Sequence, residues 1–460
     1  MSTRGDAPVL DFGDALLTGL ALDGGLYVPA ELPGFTDDQL RGWRDRPYAE
    51  VATGVLADLV APTLGAGELA GLVDEAYSSF DHPDVVPLRE LGDEGWLLEL
   101  FHGPTLSFKD VALQLVGGLF ERQLARTGRT VTIVGATSGD TGSAAIEAMR
   151  DRNGIELVML HPSGRVSEIQ RLQMTTVDAP NITNVAVEGT FDDCQDLVKA
   201  LFADRALRDE VGLAAVNSIN IARVLAQSVY YVTAALALGA PDRRVAFTVP
   251  TGNFGNVYSG HLSRARGVPL EPFTVATNRN DILARFLLDG EMRIEGVEAS
   301  LSPAMDIQVS SNFERLLWEV LDRDGAAVAE AMAEFRRSGT LPVGADVVEA
   351  IRTGFGAGRR SDDEILATIA DVDDRHGVVI DPHTAVGVGL GRTVERDPDV
   401  AHVMLACAHP AKFGATVERA IGRPPELPTR LADLATRDER YLTVADDLDT
   451  IRDIVRSTTP

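Results

Sequence analysis

From about residue 97 onward, short apolar runs alternate with longer amphipathic stretches of helical period. This alternation predicts parallel strands joined by helices, and therefore an α/β fold. Several runs end in turns rich in Gly, Ser, Thr or Asn, and ligands of open parallel sheets bind outside the carboxyl ends of the strands. We therefore expect the chemistry in these turns. The predicted strands are residues 97–100, 131–134, 157–160, 245–249, 273–276 and 403–406.

The same pattern predicts three regions. The chain of 460 residues exceeds the usual size of a domain with one hydrophobic core. Residues 1–96 are expected to form a mostly helical N-terminal lobe, residues 97–235 a smaller α/β lobe, and residues 236–460 a larger α/β lobe. Between about 286 and 375 the chain is charged and helical, which indicates an insertion within the larger lobe. The acidic tail from 431 onward is expected to be a solvated terminal helix with its loop.

One turn has the features of an anion cradle. The sequence GNFGN at 252–256 follows the predicted strand VAFTVP and precedes the helical stretch VYSGHLSRA. Glycines allow backbone amides to approach an oxyanion closely, and a helix N-terminus adds partial positive charge. We interpret the turn as a phosphate site that needs no lysine, the alternative being an ordinary tight turn.

A second polar turn, TSGDTG at 137–142, follows TVTIVGA and opens the helix SAAIEAMR. Its hydroxyls and amides suit another anion, such as a substrate carboxylate, although they also fit a well-capped helix. No lysine follows the second glycine, so a nucleotide P-loop is excluded. The run GVGLG at 387–391 resembles part of a dinucleotide fingerprint, but it lies inside a helical pattern without a strand before it. We interpret it as close helix packing.

Lysine is scarce, because only three of the 42 basic residues are lysine. Arginine can carry surface charge, but only a lysine can lose its proton and attack an aldehyde. Lys109 follows WLLEL and FHGPTLS, at a strand's carboxyl end where a helix begins. Surface charge is the default interpretation of Lys199 and Lys412, with packing or a nearby anion as the alternative for Lys412. Lys109 is therefore the candidate Schiff-base residue.

Composition excludes several classes of protein. A net charge of -27 opposes binding to nucleic acid or to an anionic membrane. No window holds the ~20 apolar residues of a membrane helix, and the first residues lack the features of a signal peptide. The two cysteines, Cys194 and Cys407, have no spacing typical of a metal site or a disulfide framework. We expect a cytoplasmic protein without a metal.

Eight segments together carry a resemblance. FHGPTLSFKD, GATSGDTG, HPSGRVSEIQRLQMTT, NSINIARVLAQ, VPTGNFGN, ATNRNDIL, MDIQVSSNFERLL and CAHPAKF resemble, in this order, the conserved blocks of the threonine synthase family. The match runs from STRGDAPVLDF nearly to the C-terminus and is closest to the longer bacterial and fungal branch. The resemblance implies a two-lobed enzyme of the tryptophan synthase β-like class (fold type II), with pyridoxal 5'-phosphate (PLP) between the lobes.

The resemblance also implies roles for individual residues. Lys109 would form the Schiff base with PLP, Asp140 would lie near the pyridine ring, and Ser138 and Thr141 would receive the substrate carboxylate. The turn that we interpret as a phosphate site would hold the cofactor phosphate. Its residues are Gly252, Asn253, Phe254, Gly255 and Asn256.

One residue departs from the family pattern. The family usually has threonine before AHPAKF, where its hydroxyl would meet the pyridine nitrogen, and this chain has Cys407. A thiol is a weaker hydrogen-bond partner, whereas a thiolate would favour a protonated ring. We predict a neutral thiol.

The implied reaction is that of a carbon–oxygen lyase acting on a phosphate. O-phospho-L-homoserine and water would give L-threonine and phosphate, with PLP as the electron sink and Lys109 moving protons. The substrate phosphate needs a locally positive site, for which arginines are the expected donors, although each could instead form a surface ion pair. The candidate substrate residues are Arg165, Arg223, Arg279, Asn217 and Ser218.

Two other functions remain open at this point. The first is a dehydratase or β-replacing enzyme of the same superfamily acting on serine or threonine, against which the arginine-bearing blocks count. The second is a PLP-binding homologue without catalysis, which the intact FKD, TSGDTG and GNFGN segments disfavour and Cys407 leaves open. We expect a monomer or a homodimer.

Overall fold

The computed structural model describes residues 1–395 and 397–458. Eleven strands lie in these residues and form two sheets. The first six strands are β1 (Leu88–Glu90), β2 (Trp96–Glu99), β3 (Val131–Ala136), β4 (Ile155–Pro162), β5 (Ile182–Glu188) and β6 (Leu213–Ala214). The other five are β7 (Val245–Pro250), β8 (Phe273–Thr277), β9 (Phe355–Arg359), β10 (Ala401–Ala406) and β11 (Leu442–Ala445). All six predicted strands are present.

The helices of the N-terminal region and of the five-stranded sheet come first. Those before the first strand are α1 (Phe12–Thr18), α2 (Asp37–Trp43), α3 (Tyr48–Val60) and α4 (Ala66–Tyr77). The next six are α5 (Lys109–Thr127), α6 (Asp140–Met149), α7 (Glu168–Thr175), α8 (Phe191–Ala203), α9 (Arg205–Val211) and α10 (Ile221–Ala237).

The remaining helices surround the six-stranded sheet, apart from the last. They are α11 (Gly255–Ala265), α12 (Ile282–Asp289), α13 (Phe313–Val320), α14 (Gly325–Ser338), α15 (Ala345–Arg352), α16 (Asp362–His376), α17 (Pro382–Gly391), α18 (Gly414–Ile421) and α19 (Leu448–Thr458). No described helix is long and apolar enough to cross a membrane.

The two sheets define two α/β lobes. One sheet has the order β1-β2-β10-β7-β8-β9, and only its β1–β2 pair is antiparallel. The other has the order β11-β5-β4-β3-β6 and is parallel throughout. The interior strands are buried on both faces because helices cover them, which explains their continuous apolar runs, whereas the edge strands β1, β9 and β11 are more exposed. The predicted α/β class is correct.

Sheet membership corrects the predicted lobes at three strands, because β1 and β2 belong to the six-stranded sheet and β11 belongs to the five-stranded sheet. β2 was expected in the smaller lobe, but it pairs with β10 in the six-stranded sheet, with Trp96 opposite Val403. The chain therefore forms part of the larger sheet before it enters the smaller lobe. The pairing is parallel and joins segments far apart in sequence, so no local pattern reveals it.

Five strands were not predicted, namely β1, β5, β6, β9 and β11. β9 lies in the region expected to be a helical insertion, where α13, α14 and α15 confirm the helices, and it pairs with β8. Its sequence FGAGR has neither alternation nor β-branched residues, so the pairing depends on its sheet neighbour. β11 pairs with β5. The tail after 431 is therefore partly built into the fold, and α19 buries Ile451 and Val455 completely.

The N-terminal helices share their core with the rest of the molecule. Val51 and Leu56 of α3 belong to the same buried apolar cluster as Phe120 of α5 and Tyr231 of α10. The helical character expected for this region is correct, and its buried face packs on both α5 and α10. This region thus buttresses the helix that begins at Lys109.

The GVGLG segment lies within α17 and packs closely, as expected. A side chain at Gly387 would stand 3.0 Å from Cγ of Pro250, and one at Gly391 would stand 2.9 Å from Sδ of Met404. Glycine at both positions lets the helix approach β7 and β10 closely. α17 is held directly against the two strands whose ends carry the site described below.

The centre of the larger sheet generates the first prediction. Phe247 of β7 is buried and its ring contacts Tyr231 edge-on at 4.9 Å between centroids. We expect Phe247→Ala to lower the free energy of unfolding by about 3–5 kcal/mol, because it leaves a cavity in a packed core. Urea unfolding measures the change. Leu22→Ala, at a side chain that is 72% exposed, is the control, and equal effects of the two substitutions would contradict this account of the core.

Candidate active site

The polar turns meet where the two lobes face each other. α5 begins at Lys109 after β2, α6 begins at Asp140 after β3, and α11 begins at Gly255 after β7. A short 3-10 turn, Pro410–Phe413, follows β10. All four turns follow the carboxyl ends of parallel strands, as the sequence predicts. The site therefore combines loops from both sheets.

A buried carboxylate joins two lysines at the centre of this site. Nζ of Lys109 lies 3.1 Å from Oδ2 of Asp140, and Nζ of Lys412 lies 3.0 Å from Oδ1 of the same group. The Lys412 amine also donates to the carbonyl of Thr105 at 2.6 Å, and Gln170 Nε2 donates to Oδ1 at 2.8 Å. The lysine and aspartate side chains are at most 8% exposed. Asp140 is therefore held by donors from three other segments.

Burial and charge act in opposite directions on these groups. Burial lowers the pKa of the Lys109 ammonium, and the charges of Lys412 and Arg223 act in the same direction, while Asp140 opposes them. For Asp140, burial alone would raise the pKa, but Lys109, Lys412 and His383 outweigh it and hold the pKa below its usual range. The arrangement gives a lysine that loses its proton more easily than an exposed one, beside a permanent carboxylate.

The other two lysines have opposite environments. Lys199 is 70% exposed and pairs with Asp196, as its amphipathic helix predicts. Lys412 is completely buried, so the default expectation of a surface charge is wrong for this residue. The turn that follows β10 directs it inward, and the alternative of a nearby anion is what the structure contains. Its place after the last predicted strand, together with the scarcity of lysine, was the available signal.

The GNFGN turn has the geometry of a cradle. Phe254 has a φ of 63°, and its ring is anchored between those of Phe313 and Phe355, with centroids at 5.4 Å from each. A side chain at Gly252 would stand 3.1 Å from the carbonyl oxygen of Ala304. The left-handed backbone and the missing side chain leave the amides at the start of α11 accessible to an anion.

Two buried donors beside this turn lack a partner among the described residues. The Oδ1 of Asn256 accepts from the hydroxyls of Tyr230 at 2.5 Å and Tyr231 at 2.8 Å, while its Nδ2 has no partner. Arg223 donates through Nη1 to the carbonyl of Val216 at 3.2 Å, and its Nε has none. Burial lowers the pKa of Arg223 to about 10. Buried donors without acceptors are costly, so these atoms fit a ligand that carries a phosphate.

The TSGDTG turn is organised by its first hydroxyl. Thr137 Oγ1 accepts from the backbone N–H of Gly139 at 2.9 Å and of Gly142 at 2.8 Å. Gly139 has a φ of 142°, which an L-residue rarely adopts. Ser138 and Thr141 are half-buried. The turn therefore presents their hydroxyls beside Asp140, where the sequence places a substrate carboxylate.

The structure separates the predicted arginines. Arg223 is buried, and its charge acts on Lys109. Arg279 is on the surface and pairs with Asp362 at 2.5 Å, and Arg165 is exposed. Of the three, only Arg223 therefore belongs to the buried cluster.

The remaining predicted substrate residues lie beside the cradle. Ser218 is half-buried, with its Cβ 3.8 Å from the position that a side chain at Gly255 would occupy. Asn217 is exposed, and its Oδ1 accepts from the backbone N–H of Ile219 at 3.2 Å.

Cys407 is buried at the end of β10 and connects to the lysine loop through its backbone. Its carbonyl accepts from the N–H of Phe108 at 2.8 Å, and its N–H donates to Oγ1 of Thr384 at 3.0 Å. Burial raises the pKa of the Cys407 thiol well above its usual range, and the charge of Asp381 adds to the effect. These conditions favour the neutral thiol.

Sequence reasoning missed Gln170, Lys412 and the Asp381–Thr384 segment. Gln170 lies in a helix with no feature that distinguishes it from other polar helical residues. The DPHT sequence at 381–384 has the signal of a helix start, with Asp as N-cap and Pro at the first position. That signal gives no hint that the side chains reach the site.

Comparison with known proteins agrees with this geometry. The family model described as "Pyridoxal-phosphate dependent enzyme" matches residues 81–345. The models "Threonine synthase N terminus" and "Threonine synthase, C-terminal" match residues 1–77 and 384–455. The fold and the site thus define a PLP-dependent enzyme of fold type II.

The relatives narrow this class. The chain is 50% identical to the threonine synthase of Pseudomonas aeruginosa over 97% of this chain and 96% of that protein. A PLP-bound threonine synthase from Brucella melitensis superposes with a TM-score of 0.97 at 48% identity, covering 100% of this chain and 99% of the other. The yeast threonine synthase gives 0.93 at 37% identity, with coverage of 100% and 98%. The chain belongs to the threonine synthase family.

The interaction of Asp140 with Lys109 and Lys412 generates the second prediction. Lys412→Met keeps the length of the side chain but removes one cation from a buried carboxylate, so we expect it to lower the free energy of unfolding by about 3 kcal/mol. Lys199→Met removes an exposed ion pair and should change it by less than about 0.5 kcal/mol. Urea unfolding of the two variants side by side gives the comparison. Equal values would show that Lys412 does not support Asp140.

Asp110 lies one residue after Lys109 and is fully buried. Its carboxylate accepts from the N–H of Thr105 at 2.8 Å and from the Thr105 hydroxyl at 2.6 Å. A side chain at Gly103 would stand 2.4 Å from the Cβ of Asp110, so glycine is required there. Burial raises the pKa of Asp110 to about 6 despite these hydrogen bonds. The loop before Lys109 is thus folded around a carboxyl that binds its proton tightly.

This raised pKa generates the third prediction. The native state binds the Asp110 proton more tightly than the unfolded state, so the stability it contributes is present below about pH 4 and is lost as the pH rises through about 6. An increase from 3.8 to about 6 corresponds to roughly 3 kcal/mol. The unfolding free energy of the wild type relative to Asp110→Asn should therefore fall by about this amount between about pH 4 and 7. Parallel pH profiles of the two proteins would refute the assignment.

Proposed function

We propose that the chain converts O-phospho-L-homoserine and water into L-threonine and phosphate, the last step of threonine biosynthesis. The observation that carries the proposal is the buried Lys109 amine, which lies 3.1 Å from Asp140. The charge of Arg223, a buried donor whose Nε has no acceptor among the described residues, acts on the same amine. A generic PLP enzyme needs the lysine and one phosphate site, and a phosphorylated substrate needs further positive charge.

The residues that would hold PLP follow from the site. Lys109 would bind it covalently, the amides of 252–256 and the free Nδ2 of Asn256 would receive its phosphate, and Cys407 and Asp140 would flank its ring. PLP supplies an electron sink for negative charge that develops next to the amino-bearing carbon. The buried donors and the open glycine turn fit a phosphate-bearing cofactor of this kind.

Lys109 would carry the protons of the reaction. Because burial and neighbouring cations lower its pKa, its freed amine is available to remove the proton at Cα of the substrate and to transfer protons at Cβ. Asp140 remains a carboxylate throughout and keeps the amine oriented. Phosphate would leave from Cγ, which gains a proton and becomes the methyl group, while water adds its hydroxyl at Cβ and Cα regains the proton that it lost.

The substrate would be bound by its two anionic groups. The hydroxyls of Ser138 and Thr141 are assigned to the carboxylate, and Asn217 and Ser218 to polar contacts beside the cradle. Arg223 is assigned to the substrate phosphate, since it is the predicted arginine that the fold buries near Lys109. Arg165 and Arg279 lie outside the buried cluster, and the proposal does not use them.

The location and the oligomeric state of the enzyme are also part of the proposed function. We propose a cytoplasmic location, which the two unpaired, buried cysteines support because a reducing compartment keeps thiols free. Monomer or homodimer remains our prediction for its assembly.

The assay that tests the function measures phosphate released from O-phospho-L-homoserine together with the L-threonine formed. We expect equal amounts of both products, and a loss of at least about 10³-fold in Lys109→Ala, which lacks the proton-carrying amine. Lys199→Ala, which removes the exposed lysine, should keep the wild-type rate. Release of ammonia and keto acid from serine or threonine without phosphate release would favour a dehydratase instead.

Borohydride reduction followed by peptide mapping tests the lysine itself. The reduced PLP adduct is expected on the peptide that contains Lys109. A label on Lys412, which lies on the other side of Asp140, or on Lys199 would overturn the assignment. PLP absorption without turnover of any of these amino acids would favour a binding protein without catalysis.

A further inference from the structure

Asp381 is a fully buried carboxylate at the start of α17, and four donors hold it. Oδ1 accepts from the backbone N–H of His383 at 2.9 Å and lies 2.8 Å from His383 Nδ1. Oδ2 accepts from the N–H of Thr384 at 3.2 Å and from the Thr384 hydroxyl. The backbone contacts are those of an ordinary helix cap. The two side-chain contacts each continue into a further series of hydrogen bonds, one through Thr384 and one through His383, and we call these series the first and the second extension.

The first extension runs through Thr384 to Cys407, which is expected to flank the cofactor ring. Its hydroxyl gives its proton to Asp381 and accepts from the N–H of Cys407 at 3.0 Å. The carbonyl of Cys407 in turn accepts from the N–H of Phe108 at 2.8 Å, and Phe108 precedes Lys109. Asp381 therefore orients the Thr384 hydroxyl, which holds the backbone of Cys407, and Cys407 in turn holds the loop before Lys109.

The second extension runs through His383 to the loop behind Gly252, in the turn that is expected to hold the cofactor phosphate. Nε2 of His383 accepts from the N–H of Ala304 at 3.2 Å, so this nitrogen carries no proton and Nδ1–H donates to Asp381. The carbonyl oxygen of Ala304 stands 3.1 Å from the position of a side chain at Gly252. Asp381 thus selects the tautomer of His383, and this tautomer holds the Ala304 backbone behind the glycine cradle.

We propose that Asp381 is a positioning residue that fixes the distance between the two ends of the cofactor site. It contacts neither end itself and acts through Thr384 on Cys407 and through His383 on the loop behind Gly252. This inference rests on the proposed function, because it takes these residues as cofactor contacts. α17 suits the task, since its glycines press it against both β7 and β10.

Asp381→Asn tests the proposal in the PLP-loaded enzyme. The amide replaces one acceptor oxygen by a donor, so either His383 or Thr384 loses its partner inside the protein. We expect the dissociation constant of PLP to rise by about 10- to 100-fold. Both the absorption band and the ³¹P resonance of the bound cofactor should shift.

Two further variants separate the extensions and decide the question if Asp381→Asn does not fold. Thr384→Val removes the hydroxyl that joins Asp381 to Cys407 and leaves His383 in place, so the absorption band should shift while the ³¹P resonance stays. His383→Leu removes the ring that joins Asp381 to Ala304 and leaves Thr384 in place, so the ³¹P resonance should shift while the absorption band stays. Unchanged spectra in both variants would overturn the proposal.

Glu94→Gln is the matched control, because Glu94 is a buried carboxylate that holds the opposite end of the same helix. Its Oε2 lies 2.6 Å from Nε of Arg392, which follows α17, and it also pairs with Arg375. This variant should lose stability but bind PLP with the wild-type dissociation constant and spectra. If Asp381→Asn behaves in the same way, Asp381 is only a structural residue. Failure of the wild type to form a reducible PLP adduct would instead overturn the proposed function.

Discussion

The site depends on one buried carboxylate that two ammonium groups share. Asp140 begins a helix of the lobe with the five-stranded sheet, whereas Lys109 and Lys412 follow strands of the six-stranded sheet. A buried charge is tolerated only when it is paired. This interaction and the buried apolar cluster that both lobes share hold the lobes in one relative position, in which the lysine, the glycine cradle and the buried arginine come together.

Much of the fold could be predicted, because strands buried on both faces produce apolar runs that are visible in sequence. The six predicted strands and the turns after them were correct for this reason. β1, β6, β9 and β11 were missed because they are short and lie at sheet edges, where pairing with a neighbour replaces intrinsic preference. β5 lies inside the five-stranded sheet and was missed although its sequence ITNVAVE contains β-branched residues. β2 was assigned to the wrong sheet because its partner, β10, lies near the other end of the chain.

The candidate site could be predicted only where residue type limits the chemistry. Lys109 was proposed because only a lysine forms a Schiff base, and the glycine turn because few residues tolerate its backbone. Gln170 could not be distinguished from other polar helical residues, since its importance comes from the partners that the fold brings near. Lys412 carried a signal in its position and in the scarcity of lysine, but its partner Asp140 could not be predicted. Asp381 is further removed, because it reaches the cofactor contacts only through other residues.

The burial of two lysines leaves the surface with few reactive amines. Of the three lysines, Lys199 is the exposed one. Reagents that modify lysine side chains should therefore react with the folded protein at Lys199, on the outer helix α8, and leave the two buried lysines unmodified. The protein could be attached to a fluorophore or a solid support through this side chain, with a defined orientation and without engineering a cysteine.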